Sequence, residues 1–327
     1  MEWKAKKVLV TGGGGFIGSH LAERLVALGA KVRVLVPYNS RGSHGWLDDS
    51  PQRDRIEVIL GDVRDAGSVR QAMEGVEVVF HLAALIAIPY SYRAPASYVE
   101  TNIHGTLNVL QTGRDLRIGR IIHTSTSEVY GTAQCVPISE SHPLQGQSPY
   151  SATKIAADKL AEAFHRSFEL PVVTVRPFNT FGPRQSARAV IPTIISQCLA
   201  GRPVRLGSLH PTRDLNYVSN TVDGFIAAAE FEQAIGRTVN LGSGREISIG
   251  DLAALIAGLI GCPLRIEADE QRFRPKDSEV GRLLADNSLA RKLLQWEPRV
   301  SLEEGLKESI AWFRDHLDYY HPEVYAV

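Results

Sequence analysis

Two short stretches of the sequence contain the residue types that could transfer protons. The stretch 125–128 reads Ser-Thr-Ser-Glu and follows an apolar run, so it places hydroxyl groups next to a carboxylate. Tyr150 and Lys154 are four residues apart, so a helix would present both side chains on one face. A buried ammonium beside a phenol is expected to lower the phenol's pKa, because it favours the phenolate. The sequence therefore predicts that Tyr150 acts as an acid or base near neutral pH.

A glycine-rich turn near the start of the sequence indicates a dinucleotide site. Residues 7–10 form an apolar run that predicts a strand, and Gly12, Gly15 and Gly18 follow it at intervals of three. Apolar residues then recur at helical spacing from Ile17 to Leu28. A strand, a glycine turn and a helix in this order are typical of a pyrophosphate bound at a helix N-terminus.

The residues after the second predicted strand, 31–36, leave the form of the cofactor open. A carboxylate at this strand end would bind the adenosine ribose of NAD. The sequence has Asn39, Ser40 and Arg41 in that region instead. Arg41 either meets the 2′-phosphate of NADP or is simply solvated.

Polar or small residues also follow the next predicted strands. Asp62 either hydrogen-bonds the adenine amino group or caps a helix over 66–74. Asn102, inside a predicted helix over 99–112, holds either a proton-relay water or a neighbouring carbonyl. The predicted cofactor contacts are Gly12, Gly15, Phe16, Ile17, Gly18, Asn39, Ser40, Arg41, Asp62, Val63, Leu82, Ala83, Ala84, Asn102, Ser125, Tyr150, Lys154 and Pro177.

The regular alternation of predicted strands and helices indicates an α/β fold with a Rossmann-type, doubly wound parallel sheet. We expect residues 1–178 to form the NAD(P)-binding domain, joined by a returning strand near 238–242. Residues 179–327 are expected to form a smaller α/β substrate domain. Ligands of such sheets bind at the carboxyl ends of the strands.

Three arginines of the second half, Arg205, Arg213 and Arg274, are candidates for binding a diphosphate. Forked guanidinium donors suit phosphate oxygens. The alternative for each arginine is a surface ion pair.

Composition excludes several classes of function. Lys+Arg and Asp+Glu are both 36, so the net charge of zero argues against a nucleic-acid partner or an anionic membrane surface. Three widely spaced cysteines predict neither disulfides nor a metal site, which fits a reducing cytoplasm. The apolar stretches are too short to span a bilayer, and the first residues run directly into a strand without room for a signal peptide.

The motifs named so far resemble the extended short-chain dehydrogenase/reductase superfamily over nearly the whole sequence. The stretch 125–131, STSEVYG, is similar to the motif of the nucleotide-sugar 4,6-dehydratases, with a serine at 127 as in GDP-mannose 4,6-dehydratase. Residues 38–40, 45–48, 123–133 and 176–195 are similar to the N-acetylglucosamine 4,6-dehydratases of legionaminic-acid-type pathways.

The resemblance implies a redox-neutral dehydration of a UDP- or GDP-linked sugar, with NAD at rest in its oxidised form. Tyr150 would take the proton of the carbon-4 hydroxyl, and Glu128 the proton of carbon 5. The departing hydroxyl would be protonated by Glu128, or by a water that Ser127 relays. The implied catalytic set is Thr126, Ser127, Glu128, Tyr150 and Lys154. The implied substrate contacts are Asn179, Arg213 and Arg274 at the diphosphate and Val190 and Arg205 near the base.

The resemblance also implies a homodimer built on the helices over 99–112 and 150–168. Three other functions compete with dehydration. A UDP-glucuronate decarboxylase carries a similar Thr-Ser-Glu stretch but needs an arginine for the carboxylate. A 4-epimerase has no need of Glu128. A non-catalytic dinucleotide sensor often loses the tyrosine or lysine, both of which this sequence keeps.

Overall fold

The structure is a computed structural model that describes residues 1–325. Its strands are β1 (Lys7–Thr11), β2 (Lys31–Val36), β3 (Ile56–Leu60), β4 (Val78–His81), β5 (Arg120–Thr124), β6 (Val172–Pro177), β7 (Asn179–Phe181), β8 (Val204–Leu206), β9 (Thr212–Tyr217), β10 (Thr238–Leu241), β11 (Glu246–Ser248) and β12 (Ile266–Ala268). Its α-helices are α1 (Phe16–Ala27), α2 (Ala66–Met73), α3 (Ile88–Arg93), α4 (Pro95–Tyr98), α5 (Gly105–Asp115), α6 (Pro149–Phe168), α7 (Val190–Leu199), α8 (Val218–Glu230), α9 (Ile249–Ile260), α10 (Ser288–Leu294) and α11 (Leu302–Asp315).

The main sheet has the order β10-β6-β5-β4-β1-β2-β3, and every neighbouring pair in it is parallel. The chain winds outward from β1 to β3 and then returns to β4 on the other side of β1. This reversal leaves a crevice at the carboxyl ends of β1 and β4, where ligands of such sheets bind. The prediction of a Rossmann-type, doubly wound α/β fold is confirmed. The strand β10 pairs with β6 and forms the edge of the sheet.

Both faces of the main sheet are buried, as the near-continuous apolar runs require. In β1, Val8 and Val10 pack into one hydrophobic cluster, and Leu9 packs into the other. This separation follows from the period of two along a strand. Helices α1 and α8 contribute to the first cluster, and α2, α5 and α6 to the second. The sheet therefore lies between two helical layers, which hold its strand ends in fixed positions.

The second half of the protein consists of shorter elements that share the first hydrophobic cluster. A small sheet has the order β11-β9-β7, and β12 pairs with β8. Ile194 of α7, Ile256 of α9 and Phe313 of α11 belong to the same cluster as the main-sheet residues. The Ser301 and Glu304 side chains form a capping box at the start of α11. This shared core fixes the smaller sheets against the main sheet.

Two local expectations differ from the structure. The helix expected over 99–112 is interrupted, because a π-helical segment, Val99–His104, lies between α4 and α5. The cap of α2 is Asp65 rather than Asp62, since the Asp65 Oδ1 accepts from Gly67 N at 2.8 Å. Within residues 1–325, no helix has the length and apolar character needed to cross a bilayer. The same residues contain no cluster of His, Cys, Asp and Glu side chains suited to a metal ion.

Candidate active site

A continuous cleft of about 1470 Å³ opens along the carboxyl ends of the main-sheet strands. Its walls include the residues that follow β1, β3, β4, β5 and β6, together with side chains from the second half of the protein. Pockets for one small ligand usually measure about 300–1,000 Å³. The cleft is therefore large enough for a dinucleotide and a second ligand side by side.

The glycine turn is packed tightly against its own backbone and against the residues that follow β4. Gly12 has a φ of +71°, and a Cβ added there would meet Ala83 N at 2.9 Å. A Cβ on Gly18 would lie 2.2 Å from Gly12 O. Gly15 is the N-cap of α1 and provides no side-chain cap, so the first N–H groups of this helix remain available for an anion.

The loop after β2 is folded around Asn39. The Asn39 side chain accepts from Arg41 N and Ser43 N at 3.2 Å each, and donates to Ser43 O at 2.6 Å. Trp46 N donates to Gly14 O at 3.0 Å, which fixes this loop against the glycine turn. Asn39, Ser40 and Arg41 therefore line the cleft.

Asp62 lies at the end of β3 and also lines the cleft. Its carboxylate accepts from the Arg64 side chain at 2.5–3.0 Å and from Arg64 N at 2.9 Å. These bonds, of which the Arg64 side-chain bond contributes most, lower the pKa of Asp62. The carboxylate is therefore charged and held in position at neutral pH.

A short 3₁₀ turn, Ser127–Tyr130, directs Glu128 into the cleft. Thr126 has extended backbone and caps this turn, with its Oγ1 accepting from Glu128 N at 3.2 Å. The Glu128 side chain is 11% exposed and lines the cleft together with Thr126 and Ser127. A largely buried carboxylate in this position can remove a proton from a bound ligand.

Tyr150 and Lys154 lie in the first two turns of α6. The helix begins with the capping box of Ser148 and Ser151, with Pro149 in its first turn. Lys154 Nζ donates to Thr124 O at 2.6 Å. Burial lowers the pKa of Lys154 to about 8.

The expectation that Lys154 lowers the pKa of Tyr150 is wrong for the protein chain by itself. Burial raises the pKa of Tyr150, and the Glu128 carboxylate raises it further. The Thr126 hydroxyl and the positive charge of Arg188 act in the opposite direction but are weaker than burial. Tyr150 is therefore a neutral phenol at pH 7 until a ligand changes its surroundings.

A buried ionic network lies behind the candidate catalytic residues. Asp158, one turn after Lys154, accepts from Ser125 Oγ at 2.8 Å and from His123 Nε2 at 3.1 Å. Arg176 donates to the same carboxylate at 2.9 and 3.0 Å. Burial alone would raise the pKa of Asp158, but the bonds from His123 and the charge of Arg176 lower it overall. The network connects β5, β6 and α6 next to the candidate catalytic residues.

Arginines of the second half face Glu128 across the cleft. Arg213 Nη2 donates to Glu279 Oε1 at 3.2 Å. Arg274 Nη1 lies 4.0 Å from Glu128 Oε2 and 3.9 Å from Glu279 Oε1. Arg274 Nη1 is buried and has no hydrogen-bond partner among residues 1–325. A buried donor without a partner is costly, so this group is suited to an anionic ligand.

Two predicted site residues do not line the cleft. Asn102 is buried in the π-helical segment, where its side chain bonds to Leu85 N, Leu85 O and Thr153 Oγ1 at 2.9–3.1 Å. Arg205 is 57% exposed and faces Glu267 at 3.6 Å. The structure thus gives Asn102 a neighbouring carbonyl and Arg205 a surface ion pair.

The remaining predicted residues are brought together along the cleft. They are Gly12, Gly15, Phe16, Ile17, Gly18, Asn39, Ser40, Arg41, Asp62, Val63, Leu82, Ala83, Ala84, Ser125, Thr126, Ser127, Glu128, Tyr150, Lys154, Pro177, Asn179, Val190, Arg213 and Arg274.

Comparison with known proteins assigns this protein to a family. The family profile described as GDP-mannose 4,6 dehydratase matches residues 9–309. The UDP-glucose 4-epimerase of Mycolicibacterium smegmatis is 34% identical over 316 residues, 94% of this chain and 99% of the relative. The chain belongs to the nucleotide-sugar dehydratase and epimerase family of extended short-chain dehydrogenases/reductases.

Other members of this family carry out different reactions. The dTDP-glucose 4,6-dehydratase of an Actinoplanes species is 32% identical and covers 94% of this chain and 98% of the relative. The UDP-glucuronic acid decarboxylase 1 of Xenopus tropicalis is 34% identical and covers 97% of this chain and 74% of the relative. Family membership therefore identifies a family of enzymes that act on nucleotide sugars, but it does not distinguish between epimerisation, dehydration and decarboxylation.

Solved structures of the family have the same fold. The dTDP-glucose 4,6-dehydratase of Streptomyces venezuelae, solved with NAD bound, superposes with a TM-score of 0.87 at 30% identity, covering 96% of this chain and 99% of that chain. The UDP-glucuronic acid 4-epimerase of Bacillus cereus, solved with UDP-glucuronic acid and NAD, also gives 0.87, at 29% identity and with 95% and 99% coverage.

Sequence reasoning missed several residues of this family site. Arg188, Arg272 and Tyr325 line the cleft. Arg188 has no carboxylate within 4.0 Å among the described residues, and its charge acts on Tyr150. One signal was available for Arg188, since it lies in the stretch 176–195 on which the resemblance rests. Tyr325 has no local signal, because it is distant in sequence from every motif.

Proposed function

We propose that this protein is an NAD-dependent nucleotide-sugar 4,6-dehydratase. It would convert UDP- or GDP-linked N-acetylglucosamine, or a related hexose, to the 4-keto-6-deoxy sugar. The observation that carries this proposal is the Glu128 carboxylate, which lines the cleft next to Tyr150. A carboxylate beside the tyrosine–lysine pair provides the base that an elimination needs and a simple oxidation does not.

The cofactor half of the cleft fits NAD. The tight glycine turn and the open N-terminus of α1 suit a pyrophosphate. Asp62 is a charged acceptor for the adenine amino group, and Ala83 and Ala84 leave room beside β4. When bound, NAD⁺ would supply the group that accepts the carbon-4 hydride and holds it until it is returned to carbon 6. NAD bound to the dehydratase and epimerase relatives supports this choice over NADP.

The first proton transfer is assigned to Tyr150. The Tyr150 phenolate, formed once the bound ligands have changed its surroundings, takes the proton of the carbon-4 hydroxyl, and Thr126 donates a hydrogen bond to the same oxygen. Arg188 and Thr126 both favour the phenolate that this step requires. Lys154, bonded to Thr124 O, holds positive charge next to the cofactor half of the cleft.

The second proton transfer is assigned to Glu128. The ketone at carbon 4 makes the carbon-5 hydrogen acidic, and Glu128 removes it. The carbon-6 hydroxyl then leaves as water. The proton for this leaving group comes either from Glu128 or from a water that Ser127 orients, since residue 127 is not itself an acid.

The test is turnover of UDP- and GDP-linked N-acetylglucosamine by the wild type and by Glu128→Gln. The wild type should give a 4-keto product lighter by one water. Glu128→Gln should bind NAD normally and lose roughly 10²–10⁴-fold in dehydration rate. Glu279→Gln is the matched control, because it removes a carboxylate from the same cleft but keeps Glu128, so the dehydration rate should fall far less than in Glu128→Gln. Full turnover by Glu128→Gln would refute the assignment of the base.

Arg188 favours a second candidate, UDP-glucuronate decarboxylase. This reaction needs a cation for the sugar carboxylate, and Arg188 faces the Tyr150 region with no carboxylate partner among residues 1–325. Release of carbon dioxide from UDP-glucuronate would support this reaction. A product of unchanged mass with inverted carbon 4 would instead support a 4-epimerase, as in the relative from Mycolicibacterium smegmatis.

The proposal includes a cytoplasmic homodimer built on α5 and α6. Val99, just before α5, and Phe168, at the end of α6, are 38% and 49% exposed. Pairing of these helices between two copies would bury both apolar side chains, and a mass measurement in solution tests it.

A further inference from the structure

The segment that follows α11, residues 316–325, folds back along the second half of the cleft. The Tyr320 ring is buried 4.5 Å from Phe313, and its hydroxyl donates to Gln185 O at 2.8 Å. Gln197 Nε2 of α7 donates to Pro322 O at 3.1 Å. The segment is thereby attached to the loop before α7 and to α7 itself, which carry the cleft residues Arg188 and Val190.

These attachments bring Tyr325 to the edge of the cleft, next to Arg272. The Arg272 guanidinium lies over the Tyr325 ring, 4.6 Å from its centroid, which is a cation–π distance. Both residues line the cleft. One face of the ring is therefore covered by a planar cation, and the rest of the ring is available to a ligand.

The Arg272 side chain is fixed by other contacts, so its position over the Tyr325 ring is defined by the fold. Its Nε donates to Asp269 Oδ2 at 3.0 Å, and its side chain is only 13% exposed. Asp269 N in turn donates to Leu206 O at 2.9 Å, at the end of β8. A Cβ added to Gly207 would lie 2.7 Å from Arg272 O, so the two backbones pack directly together.

The pair belongs to the substrate half of the cleft. The pair lies next to the end of β8, since Arg272 O is close to Gly207 and Asp269 N donates to Leu206 O. Arg188, Val190 and the residues 206–208 line the same cleft. The glycine turn and Asp62, which fit the dinucleotide, come from the opposite half of the chain.

We propose that Tyr325 and Arg272 form a wall of the site for the nucleobase of the substrate's nucleoside diphosphate. A flat ring backed by a guanidinium is suited to stack on a planar base, since aromatic faces attract bases and cations alike. This assignment rests on the proposed function only in requiring a nucleotide-sugar substrate. It holds equally for a dehydratase, a decarboxylase and a 4-epimerase.

The experiment is calorimetric binding of UDP, GDP and dTDP to the NAD-loaded protein. Tyr325→Ala should weaken the best-bound nucleoside diphosphate roughly tenfold, the loss expected for one base–aromatic stack. Tyr325→Phe should keep most of the affinity, because it keeps the ring. Tyr319→Ala is the matched control, because Tyr319 lies in the same segment but contacts Trp46 and Asp49 instead.

Turnover separates binding from chemistry. Tyr325→Ala should raise KM for the nucleotide sugar more than it lowers kcat, and it should leave NAD affinity within twofold of wild type. Unchanged nucleoside diphosphate affinity in Tyr325→Ala would overturn the inference, and so would an equal loss in Tyr319→Ala. A wild type that binds none of the three nucleoside diphosphates would overturn the proposed function as well. A wild type that binds one of them but does not dehydrate would overturn the dehydratase assignment alone.

Discussion

Replacing Asp158 by asparagine tests whether the buried network below the active site sustains the fold. Asp158 receives two hydrogen bonds from Arg176 and one each from His123 and Ser125. The Asp158 and Arg176 side chains are 5% and 6% exposed. The variant keeps the volume of the side chain but removes its charge, so Arg176 becomes a buried cation without a carboxylate partner.

The expected loss can be estimated from these contacts. Removing one partner of a buried ion pair usually costs about 3–5 kcal/mol. Arg176 keeps a bond from Nη1 to the Tyr130 hydroxyl at 2.9 Å and lies 4.9 Å from the centre of the Tyr130 ring. We therefore expect the lower end, a loss of about 3 kcal/mol in the free energy of unfolding. That loss is a large fraction of a typical stability of about 5–15 kcal/mol.

The assay is urea unfolding of Asp158→Asn, Arg176→Met and the double variant. If the pair is coupled, the double variant should lose less stability than the sum of the two single variants. Asp158→Asn should also lower activity, because Ser125 and the end of β5 lose their anchor next to Thr126. A stability loss below about 1 kcal/mol, the size typical of an exposed pair, would refute this reasoning.

Two further predictions concern titratable groups. Lys154 has a pKa of about 8 in the folded protein and about 10.4 in the unfolded chain. Between these two pH values the unfolded chain binds more protons than the folded protein. The free energy of unfolding should therefore rise with pH across this range, by roughly 3 kcal/mol from this group. Unfolding measured from pH 7 to 10 should show this rise in the wild type and lose it in Lys154→Met. Burial and the adjacent Cys262 raise the pKa of Cys198 to about 12, whereas Cys135 is exposed. A thiol reagent at pH 8 should therefore label Cys135 quickly and Cys198 only after unfolding, and fast labelling of Cys198 would contradict its burial.

Most of the fold could be predicted because its signals are local. The apolar runs of the main strands and the glycine pattern after β1 each occupy a few consecutive residues. The placement of Gly12, Ala83 and Thr126 at one edge follows from the rule that parallel strands end on the same side of the sheet.

Two predicted site residues, Asn102 and Arg205, do not line the cleft. The position of Asn102 depends on contacts distant in sequence, whereas that of Arg205 follows from a local pattern. Asn102 is a predicted cofactor contact, but the π-helical segment turns its side chain toward Leu85. The proximity of Cys198 to Cys262 arises only when α7 and α9 are adjacent. Arg205 could have been placed from sequence, because Val204 and Leu206 are buried on either side of it in β8. The alternation of a strand then directs Arg205 outward.

The direction of the Tyr150 pKa shift was not predictable from the spacing of Tyr150 and Lys154. The spacing fixes which helix face carries the two groups, but the pKa depends on how much solvent each group loses and on which partner each finds. Tyr150 is 6% exposed, so burial dominates. Lys154 donates to Thr124 O, and the Tyr150 pKa responds to Arg188 instead.

Charge balance in the cleft links substrate binding to the freedom of Glu128. Arg213 and Arg274 share the nearby carboxylates of Glu128 and Glu279, and Arg188 adds a further positive charge without a carboxylate partner among the described residues. On the proposed function, a diphosphate would bring two negative charges to these arginines. Arg274 Nη1, which is buried without a hydrogen-bond partner within residues 1–325, would then bond to phosphate oxygen, and its attraction for Glu128 would be shared with the ligand. The diphosphate would then compete with Glu128 and Glu279 for the same two guanidinium groups.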